Sequence, residues 1–210
     1  MPKGIMIAAM DFTNVDVSEF NDWYDTEHLP ERVRIPGFEV SQRWIGADNP
    51  RVSLATYDLE NAAVLDGPGY TAIGGANMSP WSRRVTSKVT RILRYAGEQI
   101  LPGDGAAPES GGILLVGMTP AADDEAAFNH WYDKEHVPAL AAVPGVLCAR
   151  RFRTTNGAAT KYAALYHLTE PGVQESAAWK AASAATPMPP AVRERITGRV
   201  RLVCRRYARA

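Results

Sequence analysis

The chain has 210 residues, of which 46% are hydrophobic and 22% charged, a composition that fits one folded domain or two small ones and excludes a disordered, collagenous or coiled-coil protein. Lysine plus arginine and aspartate plus glutamate both total 23, so there is no general attraction for nucleic acid or an anionic membrane surface. The apolar stretch before Asp11 is too short for a secretion signal, and no run reaches the ~18 apolar residues that cross a bilayer; a cytoplasmic protein without a membrane partner is expected.

Residues 4–10 (GIMIAAM) predict a buried first strand. Asp16 opens Asp-Val-Ser-Glu, a helix N-cap with Glu19 at the capping-box position, and a helix follows. Pro30 should end that helix, because a proline ring clashes with the preceding turn. After the Pro36-Gly37 turn, Phe38, Val40, Gln42 and Trp44 share one face of a second strand, and residues 52–59 make a third. Short helical stretches are expected around 60–84. In a last strand Val89, Arg91 and Leu93 alternate with Lys88, Thr90 and Arg94. Residues 97–111, rich in Gly and Pro, read as a linker.

The pattern then begins again with GILLVGM at 112–118 and a potential cap at Asp124. FNDWYDTEHLP at 20–30 returns as FNHWYDKEHVP at 128–138, identical at eight of eleven positions. The offset is 108 along most of the copy, 109 at Tyr57 and Tyr166, and 111 if Val89 is matched to Val200. Val146, Cys148, Arg150 and Phe152 repeat the second strand, 161–168 the third, 172–195 the helical stretch, and Val200, Leu202 and Cys204 alternate with Arg199, Arg201 and Arg205 in the last. The chain is a tandem duplication, with units at 1–96 and 112–210 around the linker.

The order β-α-β-β-α-β, twice, is an α+β, ferredoxin-like arrangement. Each four-stranded sheet has one face left open by its helices, and burying the two open faces against each other gives an intramolecular barrel. The two cysteines, Cys148 and Cys204, are too few for a disulfide framework or a zinc site and read as buried free thiols.

Comparing the copies marks the functional face of the first helix. Phe20, Asn21, Trp23, Tyr24, Asp25, Glu27 and His28 are retained, whereas Asp22, Thr26 and Leu29 become His130, Lys134 and Val137. At about 100° per residue the retained set covers the inward face. Aromatic packing accounts for Phe20, Trp23 and Tyr24, but not for ionisable Glu27 and His28, whose burial is costly unless they are paired. Tyr24, Asp25, Glu27 and His28, with Tyr132, Asp133, Glu135 and His136 in the second copy, are therefore the candidate catalytic residues. In this reading the histidines move a proton, the tyrosines donate to a carbonyl or enolate oxygen, and the carboxylates set the imidazole tautomer. A structural alternative stays open, in which each histidine caps the helix end. Trp23 and Trp131 are candidate substrate contacts. Arg43 and Arg151, matched on the second strand, are candidate holders of a carboxylate or enolate. No residue set reads as a metal site.

Trp-Tyr-Asp-x-Glu-His-x-Pro followed by Pro-Gly resembles the EthD-like members of the dimeric α/β-barrel superfamily. The resemblance covers both copies. It implies two sheets closed into a barrel, helices outside, a mostly apolar pocket in each half, and His28 and His136 at the family's helix-end histidine. Relatives include lactone isomerases, cyclases and dehydratases of aromatic polyketides, cofactor-free quinone-forming monooxygenases and haem-degrading enzymes.

The expected function is a cofactor-independent acid/base enzyme, of isomerase, dehydratase, cyclase or related lyase type, acting on a small hydrophobic oxygenated molecule. A ligand-binding protein without chemistry and a cofactor-free or haem-dependent monooxygenase remain as alternatives, and a homodimer of such chains stays open.

Overall fold

A computed structural model of the chain describes residues 1–103 and 105–209. The alternating apolar segments form eight strands: β1 (Gly4–Asp11), β2 (Phe38–Gly46), β3 (Val52–Leu59), β4 (Thr90–Leu101), β5 (Gly112–Thr119), β6 (Val146–Thr154), β7 (Tyr162–Leu168) and β8 (Thr197–Arg206). They close into an antiparallel barrel in the order β1-β3-β2-β8-β5-β7-β6-β4. Each copy contributes four adjacent strands. The seams are β2 against β8 at Trp44–Gly46 and β4 against β6 between Gly97 and Leu101.

Because strand residues alternate between faces, each sheet serves two cores. Ile5, Ile7, Trp44, Leu54 and Tyr95 point inward and meet Ile113, Leu115, Phe152, Leu165 and Cys204 from the other half. The outer faces carry helices. Phe20, Trp23 and Tyr24 pack over Met6 and Tyr57 in the first half, and Phe128, Trp131 and Tyr132 over Leu114 and Tyr166 in the second. Cys204 is fully buried, whereas Cys148 is half-buried, so the expectation of a buried thiol holds for one of the two.

The first helix does not end at Pro30. α1 (Val17–Trp23) passes into a single π-helical turn at Tyr24–His28 and resumes as α2 (Leu29–Val33). The amide of Leu29 bonds the carbonyl of Tyr24, five residues back, and this wider turn accommodates a proline with no amide proton to offer. The second copy repeats the device, with α5 (Glu125–Trp131), a π turn at Tyr132–His136 and α6 (Val137–Ala141).

Three further expectations change. β4 runs on to Leu101, so the first five residues of the expected linker are strand. Gly4 pairs with Glu98 and Gly112 with Arg205, which matches the last strands of the two copies at an offset of 107 rather than 111, so Leu93 rather than Val89 corresponds to Val200. Asp16 caps α1 as expected, accepting from the amides of Ser18 and Glu19, but Glu19 pairs with Arg84 and makes no capping box. Asp124 makes no side-chain cap and pairs with Arg195.

The remaining helices are α3 (Pro68–Thr71), α4 (Pro80–Thr86), α7 (Ala177–Ala185) and α8 (Pro190–Glu194). Among the described residues, no helix is long and apolar enough to cross a membrane.

Candidate functional site

The helix-end histidines have different surroundings. In the first half, the imidazole of His28 lies 4.2 Å from the Trp23 ring and 4.9 Å from the Tyr24 ring, centroid to centroid. It borders a cavity of about 540 Å³ between α2, the outer face of β1 and β4, and residues 70–78. Arg32, one turn beyond His28, lines the same cavity, as do Tyr57, Tyr70, Met6 and Arg94. The Nδ1 atom of His28 is buried without a hydrogen-bond partner, so the ring meets the cavity through its other edge, which carries Nε2.

Burial, reinforced by the charges of Arg32 and Arg43, holds the His28 imidazole well below its ordinary pKa, so the ring is neutral near pH 7. Burial pushes the Tyr57 hydroxyl well above its ordinary value. That hydroxyl lies 3.1 Å from the Tyr24 hydroxyl, so Tyr57 forms the pocket wall and Tyr24 stands behind it. Arg32 is 6% exposed and donates to the His28 carbonyl at 2.8 Å; among the described residues its only carboxylate contact is Glu31 at 3.7 Å. Arg94 donates to the Tyr70 hydroxyl at 2.9 Å and has no carboxylate within 4.0 Å among the described residues.

The carboxylates expected beside the imidazoles are engaged elsewhere. Asp25 accepts from Arg43, and from the Tyr207 hydroxyl at 3.0 Å; Asp133 accepts from Arg151. Each arginine also donates to Asn21 or Asn129 and lies over the Tyr24 or Tyr132 ring, at 4.1 and 4.3 Å. Arg43 and Arg151 thus staple helix to sheet and are not among the residues lining the 540 Å³ cavity. Glu27 accepts from the hydroxyls of Ser79 (2.5 Å) and Ser82 (3.0 Å), which fastens α4 to the first helix, and Trp23 Nε1 donates to the same Ser82. Glu135 is exposed.

In the second half, His136 Nδ1 is 3.0 Å from the Thr186 hydroxyl, its ring stacks on Trp131 at 4.5 Å, and Trp131 Nε1 donates to the Thr186 carbonyl. The positions corresponding to the first cavity's wall are filled: Arg32 is matched by Leu140, Met6 by Leu114, Tyr57 by Tyr166 and Tyr70 by Trp179, all within one apolar core. The cause lies after the third strand of each copy. Gly74 and Gly75, the latter at φ +56°, interrupt the chain soon after α3, whereas the corresponding Ser183 and Ala184 belong to the continuous α7, which presses Trp179 against Tyr166 at 5.3 Å. The feature that sequence reasoning missed is therefore Arg32 with Tyr57 and Tyr70. Their signal was the difference between copies, Arg32 against Leu140 and Gly-Gly against Ser-Ala, rather than the identity.

No protein-family model and no curated protein matches the sequence. Solved structures do. An anthrone oxidase-like protein is 14% identical with a TM-score of 0.62, over 98% of this chain and 92% of that one. A candidate chlorite dismutase is 10% identical with a TM-score of 0.64, over 99% and 96%. A candidate monooxygenase from Lactobacillus acidophilus is 11% identical with a TM-score of 0.58, over 98% and 94%. At these identities the likeness is one of fold: an α+β chain with a closed eight-stranded antiparallel barrel of the dimeric α/β-barrel type.

Proposed function

We propose that the chain is a tandem pair of ferredoxin-like units, EthD-like in its helix motif, working as a cofactor-independent acid/base enzyme with one active site, in the N-terminal half. The observation that carries this is the burial of His28 and Arg32 together on the wall of a 540 Å³ cavity, whereas the matching Leu140, Leu114, Tyr166 and Trp179 pack in an apolar core and a second-half cavity of about 530 Å³ is lined by residues of 187–199 without His136. Cavities of this size suit a small organic molecule. The substrate is a small, largely apolar, oxygenated compound. Cytoplasmic location is kept as part of the reading, as is the absence of membrane and nucleic-acid partners.

In the proposed chemistry, neutral His28 takes a proton from carbon next to a substrate carbonyl and becomes imidazolium, while the electron pair moves onto the carbonyl oxygen, where Tyr57 donates a hydrogen bond. The imidazolium then returns the proton, to another carbon in an isomerisation or to a departing hydroxyl in a dehydration. With no partner on Nδ1, nothing locks the tautomer, so Nε2 can present either its lone pair or its proton.

Haem, which the superfamily resemblance raises, fits neither half. An axial imidazole holds its second ring nitrogen on a carboxylate, carbonyl or water. Among the described residues His28 Nδ1 has no such partner, and His136 Nδ1 is held by the Thr186 hydroxyl, which is none of these. The names of the monooxygenase and anthrone oxidase-like neighbours favour a second reading, in which the deprotonated substrate is attacked by dioxygen in the same cavity.

A screen of enolisable aromatic and lactone compounds, followed by mass spectrometry and an oxygen electrode, tests these readings. Turnover without oxygen uptake supports the first, and uptake supports the second. Ligand binding with no product under either condition leaves a binding protein.

A further inference from the structure

We infer that the molecule bound in the N-terminal cavity carries an anionic oxygen group, a carboxylate or an ionised enol, and that Arg32 is its anchor. This rests on the reading that the cavity is the ligand site, and it adds the charge of the ligand.

The argument begins from the cost of burying a guanidinium. An arginine more than nine-tenths buried normally has a carboxylate in close contact, because an uncompensated buried charge is strongly unfavourable. The chain follows that rule at its other deeply buried arginines. Arg43 is matched to Asp25, Arg150 to Asp58 and Arg151 to Asp133. Arg32 breaks it. Among the described residues its one hydrogen bond runs from Nη1 to the His28 carbonyl, and Glu31, at 3.7 Å, lies beyond hydrogen-bond length. The rest of its donor fork is unused on the wall of the cavity.

The surroundings add to the same sign. Arg94 lines the cavity from β4 without a carboxylate partner among the described residues, and no aspartate or glutamate lines the cavity. Tyr70, bonded to Arg94, adds a ring above the apolar part formed by Met6, Met10 and Met78. The ligand that satisfies this lining has a flat apolar body and a negative oxygen pair at one end, which a guanidinium can hold bidentately. The second copy makes the control: the matching position is Leu140, packed in an apolar core with Leu114, Tyr166 and Trp179.

The test is calorimetric titration of the full chain with 2-naphthoate and with 2-naphthamide, which share a ring system and differ in charge. The expected result is binding of the naphthoate at least tenfold tighter than the amide by wild type. That preference should be lost in Arg32→Leu, which installs the second copy's residue, and partly kept in Arg32→Lys. Circular dichroism establishes that each variant is folded. His28→Ala should keep the preference, because the imidazole is not the anchor. Equal affinity for the two compounds, binding of neither, or a preference that survives Arg32→Leu overturns the inference. An absence of turnover together with an intact anion preference overturns the enzymatic reading and leaves this one standing.

Discussion

The guanidinium of Arg150 meets the carboxylate of Asp58 at 2.8 Å inside the barrel, joining β6 of the second half to β3 of the first. On its other side Arg150 Nη2 is 3.1 Å from His167 Nε2, and the Ser110 hydroxyl is 3.3 Å from Nδ1 of the same ring. A guanidinium only donates, so Nε2 of His167 must be the accepting nitrogen and the tautomer is fixed. His167 is locked where His28 is free.

Asp58→Ala should therefore destabilise the fold by about 3–5 kcal/mol, since it strands a buried guanidinium. Urea unfolding reads the cost. The first copy carries Gln42 where the second has Arg150, so adding Arg150→Gln to Asp58→Ala should recover much of the loss. A double variant no more stable than the single one would show that the pair is not the source of the effect.

The two helix-end histidines should separate cleanly. His28→Ala is expected to abolish turnover of any substrate found and to change the melting temperature by only a few degrees. His136→Ala should leave turnover within about twofold and lower stability by roughly 1–2 kcal/mol, through loss of the Thr186 bond and the stacking on Trp131. Comparing kcat and thermal melts for both variants decides between them, and equal loss of activity in the two would overturn the assignment to one half.

Stability should fall as the solution is acidified below pH 6.5. His28, His136 and His167 are all held below the ordinary imidazole value by burial, His167 to about 3. Between the folded and unfolded values the unfolded chain binds a proton that the folded chain does not, so unfolding gains on acidification. The deeply buried pair, His28 and His167, each contribute a slope of about 1.4 kcal/mol per pH unit over that window. Asp58 acts in the opposite sense, because burial holds its carboxyl above the ordinary value and the folded chain takes up that proton first. Thermal melts should be flat from pH 8 to 7 and fall from 6.5 to 5, with a shallower fall in His167→Gln. A flat profile to pH 5 would contradict the neutral burial of these rings.

Glu27 holds α4, which borders the cavity through Thr86, rather than the proton. Glu27→Ala removes the acceptor of Ser79, which caps α4, and of Ser82. Amide hydrogen exchange should rise over residues 79–86 and ligand affinity should fall, without a matching rise on the barrel strands. Exchange unchanged in α4 would return Glu27 to the list of candidate acids and bases.

Much of the architecture was legible because the duplication wrote it twice. The register of Tyr57 and Tyr166, both opposite the outward residue of the first strand of their copy, agrees with the offset read from the sequence. The site was less legible, for two physical reasons. A proline in a helical pattern signals an end, but the π turn lets α2 continue, and this is what brings Arg32 onto the cavity wall one turn after His28. Identity between copies also pointed to Asp25 and Arg43, which staple helix to sheet in both halves, and to Glu27, which fastens α4 whereas Glu135 is exposed. The pocket depends on what the copies do not share, and Gly74-Gly75, against Ser183-Ala184 in the second copy, is the plainest of those differences.

Closing both seams has a consequence for assembly. An isolated copy would present the unpaired backbone of β2 and β4 to solvent and would be prone to pair with any strand it met, including another copy of itself. Within the full chain those edges pair with one another at Trp44–Gly46 and between Gly97 and Leu101, and the described strands form a closed ring. Association of two such chains has helices, loops and outward strand residues such as Ile92 and Leu147 to work with, rather than an added strand.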